Sequence, residues 1–123
     1  MEELLRYDSP VQFTTRMLKA DVELGGKVMR AGQMVLLLLG AANRDPEQFS
    51  DPDRLDVGRP DNKHLAFGLG PHFCLGAPLA RLEGRIVFET LLRRLPNLRL
   101  TGPPPERRPN FNLRGLKSLE VNC

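Results

Sequence analysis

The segment from Phe67 to Pro78, FGLGPHFCLGAP, constrains this chain more than any other stretch of it. Gly68, Gly70 and Gly76 surround Cys74, so the backbone can bend tightly there and turn amide N–H groups toward the sulfur. A helix is predicted directly afterwards, over residues 77–95: Pro78 suits its first turn, and Pro96 with Asn97 stops it. The partial positive charge of that helix N-terminus adds to the amides in favouring thiolate over thiol. A cysteine presented this way is prepared to ligate a metal or to act as a nucleophile.

On the helical wheel, Leu79, Leu82 and Ile86 form one apolar stripe. Ala80, Gly84, Val87, Phe88, Leu91 and Leu95 form a second, so the helix calls for neighbours on two sides. Over the whole chain the 11 glycines and 11 prolines among 123 residues argue against long uninterrupted helical bundles. Glu2 to Arg6 reads as the last turns of a helix stopped by Ser9 and Pro10. Residues 11–42 form a β-rich segment with one small antiparallel sheet: Val11 to Leu18 and Asp21 to Leu24 are extended, and Gly25-Gly26 turns the chain into Lys27 to Met29. Gln33 to Leu39 is apolar enough to predict a strand buried on both sides. Residues 43–66, rich in Asp, Asn and Pro, form a meander, and residues 67–76 are the cysteine loop. Residues 96–123 hold a short strand at Leu98 to Leu100, a proline-rich loop and a closing strand at Gly115 to Val121. A single partial α+β domain is expected.

Composition narrows the function. The net charge is +3, from 18 basic and 15 acidic residues interleaved along the chain, with no basic patch interspersed with aromatic residues; nucleic-acid binding is therefore not expected. Arginine outnumbers lysine, and its planar fork suits carboxylate partners. The apolar run at Met34 to Leu39 is far short of the roughly 20 residues a membrane helix needs. Met1 is followed by Glu2 and Glu3 rather than by a basic and apolar leader, so a cytoplasmic location is expected. Cys74 and Cys123 are too few for a disulfide framework. A zinc site built on His64, His72, Cys74 and Cys123 has a spacing unlike structural zinc centres.

Phe67, Gly70, His72, Cys74 and Gly76 follow the pattern F-x-x-G-x-H-x-C-x-G, which resembles the cysteine-ligand loop of the cytochrome P450 haem-thiolate proteins. Glu3-Leu4-Leu5-Arg6 resembles that family's E-x-x-R helix, and the stretch from Asn43-Arg44-Asp45-Pro46 to Arg59 resembles its meander. The order and separations are those of bacterial members, and the resemblance runs over essentially the whole chain. It implies the C-terminal part of a mainly α fold, beginning inside the E-x-x-R helix, with haem b as cofactor.

The same resemblance implies roles. Cys74 would be the thiolate ligand of the iron. Phe67, Gly68 and Gly76 would shape the loop, and Arg16 and His72 would meet the haem propionates. Glu3 and Arg6 would form an ion pair joined by Arg54. Val11 to Thr15 and Phe111 to Leu113 would reach toward a small organic substrate, and Arg81 and Arg85 would face an acidic, ferredoxin-type electron donor. The implied activity is monooxygenation, helped by electron donation from the thiolate. The helix that handles oxygen on the other haem face has no counterpart in these residues, and Thr14-Thr15 does not replace it. The other reading is a truncated, non-catalytic haem-binding or interaction module. Either way the apolar helix predicts self-association or domain swapping.

Overall fold

In the computed structural model, which describes residues 1–123, the first helix α1 (Glu2–Tyr7) has acids in its first turn and Arg6 in its last, the order its dipole favours. The Ser9 hydroxyl donates to the Leu5 carbonyl at 2.8 Å and closes the helix end. Six short strands follow one another in antiparallel pairs. They are β1 (Thr14–Met17), β2 (Val22–Leu24), β3 (Lys27–Met29), β4 (Met34–Leu37), β5 (Arg99–Leu100) and β6 (Val121–Asn122). The β2–β3 hairpin turns at Gly25 and Gly26, with φ of +57° and +72°, the left-handed pair that a two-residue turn requires.

The single small sheet expected from the sequence is instead three separate two-stranded ribbons, β1 with β4, β2 with β3, and β5 with β6. At the junction of the first two, the Asp21 carboxylate accepts the Ala31 amide at 2.9 Å and the Arg30 guanidinium at 2.6 Å, occupying a donor that would otherwise extend the ladder. The expectation of a buried strand at Gln33 to Leu39 is also overturned. β4 pairs along one edge with β1 and neither face is covered, so Met34 is 63% and Leu36 53% exposed. Leu39 leaves the strand to open a short helix, α2 (Leu39–Ala42), and is buried. The closing strand is only Val121–Asn122; before it the chain makes an isolated bridge between Arg107 and Leu116.

The long helix α3 (Ala77–Arg94) forms with Pro78 in its first turn, as expected. Only Ala77 of it is buried, and Leu79, Leu82 and Ile86 are about half exposed. The Met1 side chain rests against Gly84, where any β-carbon would collide with it. The interior lies instead around α1 and the meander, where Leu5, Leu39 and Phe49 are buried beside Glu3, Arg6, Ser9 and Asn43. Such a polar interior is stable only when each group is paired.

Candidate functional site

The pairing is complete at Arg6. Its side chain is wholly buried, with Nε and Nη2 donating to the two Glu3 carboxylate oxygens at 2.7 and 2.8 Å. Nη1 donates to the carbonyls of Asn43 and Pro52, each at 2.8 Å, and Nη2 also reaches the Arg54 carbonyl at 3.1 Å. Every guanidinium hydrogen is thereby used. Glu3 further accepts from the Asp56 amide at 2.9 Å and from the Asn62 amide group at 2.8 Å. The Arg6 guanidinium bonded to it, helped by these donors, holds the Glu3 carboxyl down at about 2 against the opposing effect of burial.

One member of the expected trio is different. The second guanidinium on Glu3 belongs to Arg59, whose Nε lies 3.2 and 3.3 Å from the two carboxylate oxygens, while Arg54 contributes its carbonyl to both arginines. The reason is the path of the meander. It turns the Arg54 main chain inward and leaves that residue exposed, whereas Arg59 comes back under α1 with its side chain 9% exposed. Asn43, marked in the sequence only as the start of the meander, ties this hub to the residues that lead into the cysteine loop: its Oδ1 accepts the Leu65 amide at 2.6 Å and its Nδ2 donates to Ser9 Oγ at 2.7 Å.

Beyond Leu65 the chain folds back on itself. The Gly68 amide bonds the Leu65 carbonyl, Phe73 bonds Gly70, and the Cys74 amide bonds the Phe67 carbonyl at 2.9 Å. Gly68 and Gly70 have φ of +74° and +73°, so both need the freedom glycine gives, while Gly76 at −81° does not. Cys74 is exposed three residues before α3. The Ala77 amide goes to the Cys74 carbonyl rather than to the sulfur, and the Leu75 and Gly76 amides have no oxygen acceptor in the chain.

Cys74 opens into a cavity of about 290 Å³ walled by Leu5, Leu39, Ala66 and Phe67, with Arg16 and His72 also on its lining. Arg16 is exposed and its guanidinium bonds only Thr14 Oγ1 and the Thr15 carbonyl, at 3.0 and 2.7 Å. A larger concavity of about 650 Å³ lies between α1 and α3, away from Cys74 and without a nucleophile. Val11 and Leu113 form a bridge, and the Phe13 and Phe111 rings stack at 5.7 Å, so the two segments expected to face a substrate do adjoin.

A cysteine so exposed, on an apolar cavity with a guanidinium and an imidazole on its lining, suits a flat metal-bearing group with acidic substituents, and the cytochrome P450 family model matches residues 1–118. The chain belongs to that family. It is 50% identical over 121 residues to the biotin biosynthesis cytochrome P450 of Bacillus subtilis, covering 98% of this chain and 31% of that protein. It is 49% identical over 124 residues to the monooxygenase PikC of Streptomyces venezuelae, covering 98% and 30%. The solved structure of P450BioI in complex with an acyl carrier protein ligated to hexadec-9Z-enoic acid superposes with a TM-score of 0.96 at 49% identity, over 99% of this chain and 31% of that one. The chain thus spans about a third of the length of these relatives, and the fold described above is part of the P450 fold.

Haem b is the cofactor of the cytochrome P450 family. The residues present fit it: an exposed sulfur, two neighbouring amides free of oxygen acceptors, an apolar wall, and a guanidinium and an imidazole on the same cavity for carboxylates. Of the two arginines expected to meet a P450 redox donor, Arg81 is already held by Glu2, its Nη2 lying 2.9 Å from that carboxylate, while Arg85 is exposed on the α1–α3 concavity.

Proposed function

We propose that this chain supplies the thiolate side of a haem monooxygenase site, with Cys74 as the iron ligand. The observation that carries the proposal is the single cavity onto which Cys74, Phe67, Gly68, Arg16 and His72 all open. Haem bound through a thiolate supplies an electron-rich iron that favours O–O cleavage and oxygen insertion into a small organic substrate. The chain's own residues bind and orient it. Leu5, Leu39 and Phe67 exclude water from one haem face, and Arg16 and His72 pair with the propionates. The Leu75 and Gly76 amides, which follow the sulfur-bearing residue and have no acceptor in the chain, remain available beside it, and the Glu3, Arg6 and Arg59 hub anchors the loop through Asn43.

Electrons reach the site from a ferredoxin-type donor, for which exposed Arg85 offers a cation, and the substrate lies toward Val11 to Thr15 and Phe111 to Leu113. No helix is long and apolar enough to cross a membrane, which supports the cytoplasmic reading. The apolar stripe of α3 supports association of the chain with a second copy.

The deciding measurement is the spectrum of the chain reconstituted with haem, reduced and exposed to carbon monoxide. A strongly red-shifted Soret band that vanishes in Cys74→Ala is expected; its absence from the unsubstituted chain overturns the proposal. A band without NAD(P)H consumption in the presence of a ferredoxin system and candidate substrates assigns the chain instead to the non-catalytic haem-binding module.

A further inference from the structure

His64 is a buried ionisable side chain close to the cysteine loop that the proposed chemistry leaves unused. Its ring is 2% exposed. Nδ1 accepts the Ala66 amide at 3.2 Å, so the ring hydrogen sits on Nε2, which donates to Glu2 Oε2 at 3.0 Å. The same carboxylate takes Arg81 Nε and Nη2 at 3.1 and 2.9 Å. The Arg81 guanidinium in turn stands 4.8 Å above the centre of the Phe67 ring, and the His64 ring lies 6.0 Å from that centre.

Phe67 therefore packs against a guanidinium and an imidazole that share one carboxylate. These groups come from α1, the end of the meander and α3, so the contacts tie the two segments that flank the loop to α1. The Phe67 carbonyl is also the acceptor of the Cys74 amide. Most other hydrogen bonds of residues 65–74 are local turns, such as Gly68 to Leu65 and Phe73 to Gly70. A displacement of Phe67 is thus transmitted directly to the sulfur-bearing residue.

We propose that Glu2, His64 and Arg81 form a clamp that sets the position of Cys74 through Phe67, with His64 as its central positioning residue. The link to ligand geometry rests on the iron-ligand reading of Cys74; the clamp itself does not. It is separate from the Glu3 and Arg6 hub, which reaches the loop at Leu65 through Asn43.

Amide hydrogen exchange of the whole chain without added haem tests the clamp. In His64→Leu the Cys74 amide is expected to exchange about tenfold faster, with residues 3–6 unchanged, because a buried donor–acceptor link is lost locally. His64→Gln, whose side-chain amide can still donate to Glu2, is expected to return the rate most of the way. Wild-type exchange at Cys74 in His64→Leu, or acceleration spread evenly over the chain, overturns the clamp. Should His64→Leu not fold, Arg81→Lys keeps the charge but loses the planar stack over Phe67, and the same exchange pattern is read from it. With haem and carbon monoxide added, His64→Leu is expected to lose part of the red-shifted Soret band and His64→Gln to regain it. If the unsubstituted chain shows no such band, the haem-thiolate reading fails while the exchange result still decides the clamp. An undiminished band together with unchanged exchange in His64→Leu overturns it.

Discussion

Around α1 and the meander, charged and polar side chains are buried; along α3 and β4, leucine, isoleucine and methionine are exposed. The first region is held by directional bonds whose donors and acceptors come from this chain, and Arg6 and Glu3 at its centre are fully paired, with the Asn62 side-chain oxygen beside them left without a partner. The second has the composition of a core and no partner in these residues. The difference shows that stability here resides where the geometry is satisfied, not where the apolar area is greatest. Substitutions should divide the two regions sharply.

The largest effect is expected at Arg6. Arg6→Ala leaves the Glu3 carboxylate buried with only Arg59 as charged partner and should cost about 3–5 kcal/mol, read by urea unfolding. Glu3→Gln should cost a comparable amount for the opposite reason, leaving two guanidinium groups without their anion. Loss of under about 1 kcal/mol in Arg6→Ala would remove the distinction between the regions. Arg54→Ala, by contrast, should be near neutral, since its contribution is a carbonyl that alanine also provides.

The pH dependence follows from the same carboxylate. Glu3 titrates near 2 when folded and in the ordinary carboxylate range when unfolded, so the unfolded chain binds the proton first as pH falls. Its contribution is present in full above the ordinary range, declines between that range and about 2, and is gone below, amounting to roughly 3 kcal/mol. Unfolding followed from pH 6 to pH 2 should show this decline, and Glu3→Gln should flatten it. Glu2 is also lowered, chiefly by its Arg81 hydrogen bonds, and should contribute a weaker decline of the same sign.

At the loop the expected effect is smaller and of backbone origin. Gly68→Ala forces an L side chain into φ of +74°, where its β-carbon would meet the His72 carbonyl only at an ordinary 3.6 Å. The cost is thus conformational, about 1–2 kcal/mol. The same change at Gly76, with φ of −81°, should cost less than at Gly68. Equal costs at the two positions would contradict the loop geometry.

The residues that could be read from the sequence were those with local signals. Pro78 and Pro96 bracket α3, Gly25-Gly26 marks a hairpin, and the spacing around Cys74 marks the loop. What could not be read was the choice among equivalent partners at long range. Arg54 and Arg59 are both arginines of one irregular segment, and only the path of the meander decides which side chain returns to Glu3. His64 and Arg81 meet at Glu2 from positions far apart in the chain, with no periodicity to announce it. The exposure of β4 was hidden for a related reason: an apolar run states that a strand prefers burial, not that a second layer exists to bury it.

A small change in folding stability is also expected on α3, and there the second half of the comparison is tested. Leu79, Leu82 and Ile86 are 59%, 45% and 53% exposed, so replacing all three by Gln removes little packing and should alter the unfolding free energy by no more than about 1 kcal/mol. The same substitutions remove side chains that each gain ~1.5–3 kcal/mol when fully buried, so any association through this face should weaken by orders of magnitude. Sedimentation at micromolar concentration should show self-association in the unsubstituted chain and a monomer in the triple variant. A compact monomer in both would mean that the exposed stripe is tolerated by the chain as it stands, and the contrast between a satisfied polar hub and an unsatisfied apolar helix would then be one of composition alone.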